Sequence, residues 1–162
     1  RGSRLCRMSV ATRISRARKT SARAMYLIDT DVISEGRKGA RANAGVRDFF
    51  MRVVSDQTPV FLSVVTVGEL RRGVELIRHR SDAAQASRLE KWLQQPLRHY
   101  EDYILEVDAD VAQLWGRLRV PHYENALDKL IAATALIHNL TVVTRNHADF
   151  SRTGVRVLNP FN

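Results

Sequence analysis

Four carboxylates, Asp29, Glu69, Asp128 and Asp149, are the residues of this sequence whose type and placement could do chemistry. Asp29, Glu69 and Asp149 each follow an apolar run that reads as a strand, and Asp128 opens a helix that packs back toward the sheet. Open parallel sheets bind ligands at that edge, beyond the carboxyl ends of their strands. Asp31, Thr144 and Asn146 stand close behind. Carboxylates gathered in one pocket repel each other, hold protons more tightly and destabilise the fold unless a cation offsets them. An all-oxygen set suits Mg2+, with Mn2+ possible, better than zinc. Such ions can activate a water and stabilise both the attacking and the leaving oxygen of a phosphodiester. Phosphodiester hydrolysis is the chemistry to expect.

Each acid also has a plain structural explanation. Thr66-x-x-Glu69 reads as a capping box, in which Glu69 would bond the backbone at a helix start. Asp128 stands three residues after a capping candidate, Asn125, where the helix dipole favours any acid. Asp149 could be an ordinary loop acid, and Asp31 a turn or cap residue. Asp29 is the exception, because it ends a strand of buried character with no helix clearly its own to cap, and so calls for a partner charge.

The elements that must position these acids follow from periodicity. Residues 25–28, 60–65, 103–107, 140–144 and 155–158 read as strands, rich in β-branched and apolar residues. Helices are expected from Asn43, with Val46, Phe49, Phe50 and Val53 on one face, and from Thr66, carrying Leu70, Val74 and Ile77. Another runs from Asp82 to about Gln95, stopped by Pro96. Two more start after the capping residues Asp108 and Asn125. Strands alternating with helices imply an α/β fold with a parallel sheet of four to five strands, flanked by helices on both faces.

Composition bounds the rest. At 162 residues the chain suits one domain, with 44% hydrophobic and 27% charged residues. No apolar stretch is long enough to span a membrane as a helix. The single cysteine, Cys6, allows no internal disulfide framework and no Cys-based zinc cluster, and a reducing, cytoplasmic setting is expected. The net charge of +9 is uneven. Eight of the 26 basic residues and no acid lie in residues 1–24, leaving 18 basic residues against 17 acids in residues 25–162. The body is nearly neutral, so net charge alone does not make a nucleic-acid binder. Residues 1–24 are expected to form a basic, disordered extension, with Met25 the favoured start of the domain.

Tyr26-Leu27-Ile28-Asp29-Thr30-Asp31-Val32-Ile33-Ser34-Glu35 resembles the opening of VapC-like PIN-domain ribonuclease toxins of type II toxin–antitoxin systems. Ser63-Val64-Val65-Thr66-Val67-Gly68-Glu69-Leu70 resembles their second motif, Asp128-Lys129-Leu130-Ile131-Ala132-Ala133-Thr134-Ala135 their third, and Thr144-Arg145-Asn146-His147-Ala148-Asp149-Phe150 their fourth. Asn159-Pro160-Phe161 also looks familial. Four motifs in register over residues 25–161 are a specific signal. The resemblance implies a PIN fold over residues 25–162 and Mg2+-dependent endoribonuclease activity through a metal-activated water. It implies catalytic and metal-binding roles for Asp29, Glu69, Asp128 and Asp149. It also implies an RNA substrate, a homodimer, and a cognate antitoxin whose Arg could plug the acidic pocket by bidentate pairing. Two departures stand out: Asp31 where many relatives have Asn, and Asn146 where some have an acid, leaving open whether either joins the metal shell. Asp29-Thr30-Asp31 also resembles the opening of haloacid-dehalogenase-like phosphatases, in which Asp29 would be a nucleophile. Ile33 stands there in place of the usual Thr or Ser. An inactive RNA- or protein-binding module is the third reading.

Overall fold

The computed structural model describes residues 24–162; the expected disorder of the basic extension falls outside the described residues. Five short strands form one sheet: β1 (Tyr26–Ile28), β2 (Val60–Ser63), β3 (Ile104–Leu105), β4 (Thr141–Val143) and β5 (Arg156–Leu158). All pairings are parallel, in the order β3-β2-β1-β4-β5. Leu27 pairs with Phe61 and with Val142, so β1, β2 and β4 end level with one another. Asp29, Ser63 and Thr144 therefore leave the sheet at one edge.

Helices cover both faces, because consecutive strand residues point to opposite sides and both sides must be buried. Leu27, Phe61 and Val142 pack with Ile131, Ala132, Ala135, Leu140 and Phe150 on one face. Ile28, Val60, Leu62 and Val143 pack with Val32, Val46, Phe49, Leu70, Val74 and Leu93 on the other. Truncating a fully buried aromatic such as Phe61 to Ala would cost about 3–5 kcal/mol. The helices are α1 (Thr30–Gly36), α2 (Ala44–Ser55), α3 (Val64–His79), α4 (Ala83–His99), α5 (Ala109–Leu118), α6 (Ala126–His138) and α7 (His147–Phe150). No helix among the described residues is long and apolar enough to cross a membrane.

Three expected caps form. Asn43 accepts from Gly45 N–H and Val46 N–H, Asp82 from Gln85 N–H, and Asp108 from Val111 N–H. Other boundaries differ from the sequence reading. The second strand stops at Ser63, not residue 65, because the Ser63 hydroxyl caps α3 by accepting from Val65 N–H. The third strand is two residues long rather than five. Helix α4 passes through Pro96 to His99. A proline there forfeits one backbone bond, and Leu93 and Leu97, either side of it, pack on the core.

The C-terminal segment docks on the start of α2. Gly45 N–H donates to Asn162 Oδ1 at 2.9 Å, and Asn43 Nδ2 to the Asn162 carbonyl at 2.6 Å. A Cβ on Gly45 would stand inside van der Waals contact of the Pro160 carbonyl oxygen, a backbone atom with little freedom to yield. Gly45→Ala should therefore lower stability by about 1–3 kcal/mol, the usual cost of overpacking, measured by urea unfolding. An unchanged midpoint would show that residues 159–162 shift freely.

Candidate active site

Each acid reaches the sheet edge by a local device. Asp29 is the N-cap of α1: its Oδ1 accepts from Thr30 N–H at 2.7 Å. This corrects the expectation that Asp29 has no helix of its own. A residue can both end a strand and cap the next helix when the turn between them is one residue long. Asp31 sits in the first turn of α1 and is not its cap. Its Oδ2 accepts from Arg145 N–H at 2.8 Å, while its Oδ1 is buried with no hydrogen-bond partner.

Glu69 does not close a capping box. Helix α3 begins earlier, at Val64, which places Thr66 inside it, buried, with its hydroxyl donating to the Ile28 carbonyl at 3.4 Å. Glu69, in the second turn, instead accepts a short hydrogen bond from the Thr30 hydroxyl. That contact ties α3 to the residue beside Asp29. Nothing local in the sequence marks Thr30 for this contact beyond a hydroxyl adjacent to the capping acid.

Asp128 lies in the first turn of α6, as expected. Asp149 sits on the single-turn helix α7 rather than in a loop. Both its oxygens take side-chain amides: Asn125 Nδ2 donates to Oδ1 at 2.7 Å, and Asn146 Nδ2 makes a short bond to Oδ2. Lys129, next to Asp128, is buried and donates its Nζ to the His122 carbonyl, which anchors the loop before α6.

The electrostatics show that these acids share one environment. Burial pushes Asp29 up to about 6, partly offset by hydrogen bonds from the Thr144 hydroxyl and Thr30 N–H, with the charges of Asp31 and Glu69 adding to the rise. Burial also raises Asp31, against the Arg145 N–H bond that lowers it. Asp128 rises to about 6, first from burial and then from the charges of Asp149, Glu69 and Asp31. The acids singled out from sequence are thus within electrostatic reach of one another. Among the described residues, no three His, Cys, Asp or Glu side chains are disposed to hold a metal ion as they stand. The donor chemistry nonetheless fits a hard divalent cation. The donors are all oxygen, one buried Asp31 oxygen lacks any partner, and Mg2+ commonly takes only one or two carboxylates while keeping waters.

Several basic side chains are engaged in pairs within the fold. Arg71 forms a two-pronged pair with Glu90 at 2.5 and 2.9 Å, Lys38 pairs with Glu35 at 2.6 Å, and Arg37 lies over the Trp92 ring. Phe150 is core, and Trp115 donates its ring N–H to the Ala126 carbonyl at 2.8 Å.

A parallel five-stranded sheet, helices on both faces and acids at one strand-end edge define a doubly covered α/β fold with an acidic rim. Residues 26–155 match the family model described as PIN domain, and this chain belongs to that family. It is 35% identical over 144 residues to toxin FitB of Neisseria gonorrhoeae, covering 85% of this chain and 99% of that protein. It is 27% identical over 143 residues to a VapC ribonuclease of Sinorhizobium fredii, covering 85% and 98%. The crystal structure of FitAcB from Neisseria gonorrhoeae superposes with a TM-score of 0.72 at 34% identity, covering 84% of this chain and 98% of that one. These findings bear out the resemblance and the fold, and favour the PIN reading of Asp29-Thr30-Asp31 over the phosphatase one.

Proposed function

We propose that this chain is a metal-dependent endoribonuclease, the toxin of a toxin–antitoxin pair, acting on RNA in the cytoplasm. The observation that carries the proposal is the convergence of acids from separate chain segments at one sheet edge, with a buried, unpartnered Asp31 oxygen among them. Kinship with a protein named a toxin and another named a ribonuclease supports it.

In this reading Asp29 and Asp128 hold Mg2+ or Mn2+, and Glu69 and Asp149 complete or orient the shell. Bound there, the ion would supply positive charge to the scissile phosphate and make a water acidic enough to attack it. The residues of the chain prepare the site. Thr30 fixes the Glu69 carboxylate, the Thr144 hydroxyl steadies Asp29, and the Arg145 N–H orients Asp31. A cation held there would offset the mutual repulsion of these carboxylates. The edge is acidic, so an Arg from an antitoxin fits it for the same reason that a cation does. The functional unit is proposed to be a homodimer bound by that antitoxin.

The test is cleavage mapping on total cellular RNA, with Mg2+ and with a chelator. Discrete cuts that need the ion are expected. RNA left intact with both Mg2+ and Mn2+ overturns the proposal.

A further inference from the structure

Two asparagines in this structure decline the task their positions offer. Asn125 is the N-cap residue of α6 and Asn146 that of α7, yet neither side chain makes a cap hydrogen bond. An N-cap side chain ordinarily accepts from a backbone N–H one turn into its helix. Here both amides turn away and donate to one carboxylate, Asp149, one to each oxygen. Asn125 does so from a left-handed backbone, φ 53° and ψ 47°, which carries it out of the extended geometry that a capping residue adopts.

We infer that Asn125, with Asn146, is a positioning residue that clamps Asp149 against the start of the helix that carries Asp128. This inference rests on the nuclease reading above and deepens it. Asp149 is half-buried on a four-residue helix, too short to fix a side chain by itself. Its two hydrogen bonds, one to each carboxylate oxygen, come from two elements: Asn146 at the start of its own helix, and Asn125 at the start of the helix that carries Asp128. The clamp therefore ties Asp149 on one helix to Asn125, three residues before Asp128 on another. Partners one bond removed from a metal ligand commonly change metal affinity or activity by about 10–100-fold when lost.

The left-handed backbone supplies the means to separate this role from a merely conformational one. Asparagine tolerates that region, and glycine adopts it freely. Asn125→Gly keeps the chain path and removes only the amide. Asn139, also left-handed at φ 55° but at the far end of α6, serves as the control through Asn139→Gly. In the metal-free full chain, the Asn125 side-chain amide resonance should move in Asp149→Ala. Asn125→Gly should then melt close to the wild type, yet need roughly 10-fold more Mg2+ both for its metal-induced rise in melting temperature and for half-maximal RNA cleavage. Excess Mg2+ should restore its cleavage. Asn125→Asp, which turns a donor into an opposing charge, should be worse, and Asn139→Gly should match the wild type. An Asn125 amide indifferent to Asp149→Ala, or an Asn125→Gly with the wild-type metal response, overturns the clamp alone. A wild-type chain that responds to neither Mg2+ nor Mn2+ overturns the nuclease reading, and the clamp's role falls with it.

Discussion

Asp29→Asn is expected to abolish RNA cleavage and, in the same protein, to raise the melting temperature of the cation-free fold at pH 7. The two effects have one cause. Asp29 is only 7% exposed, and burial together with the charges of Asp31 and Glu69 lifts its carboxyl from 3.8 to about 6. A carboxyl whose folded pKa exceeds its unfolded value binds more protons in the native state between those two values. Stability therefore falls as pH rises through that window, and the full penalty is present at pH 7. Two pKa units correspond to on the order of 2–3 kcal/mol. Asparagine keeps the oxygen that accepts from Thr30 N–H, and is as good an N-cap as aspartate, so the cap survives the change. Removing the charge should gain several degrees in melting temperature while losing the anionic oxygen that the proposed ion needs. Cleavage assays and thermal melts in chelator check the two halves. A variant that still cuts RNA refutes the role of Asp29, and one that melts lower refutes the uncompensated charge.

Mg2+ should stabilise the wild-type protein strongly at pH 7 and hardly at all at pH 5. Ligating carboxylates must be unprotonated, so metal binding releases protons and weakens as pH falls. With Asp29 and Asp128 both near 6, each is about nine-tenths ionised at pH 7 and about one-tenth at pH 5. If both must ionise to receive the ion, the apparent affinity falls on the order of a hundredfold across that range. The metal-induced shift in melting temperature should shrink accordingly. In chelator the trend reverses: these two groups make the protein more stable at pH 5 than at pH 7. Equal Mg2+ shifts at both pH values would mean that neither acid is displaced from its proton by the ion.

Much of this was legible in the residues, and the failures have physical reasons. Apolar runs of β-branched residues marked the strands, and Asn43, Asp82 and Asp108 marked helix starts, because those signals are local. The Thr66-x-x-Glu69 box misled because Ser63, three residues earlier, competes for the same helix start, and burial of Thr66 beneath β1 settles the contest. Asp29 concealed its capping role because a cap is normally sought after a loop, and no loop separates β1 from α1. The bonds from Thr30 to Glu69 and from Asn125 to Asp149 join residues 39 and 24 positions apart. No periodicity reports such pairings. The acids themselves were found by type, spacing and resemblance, whereas the side chains that hold them became visible only in three dimensions.

The strand order has a consequence for biosynthesis. The central strand, β1, is made early, but one of its two neighbours, β4, begins only at Thr141, more than 110 residues later. Pairings of such separation must close a long loop before they return any stabilisation, and they form late. Asp29 thus leaves the ribosome long before Asp128 and Thr144 exist to stand beside it. A nascent or prematurely terminated polypeptide lacking the last fifth of the sequence carries an unfinished sheet and a dispersed set of acids. The acidic edge comes together only after β4 has been made.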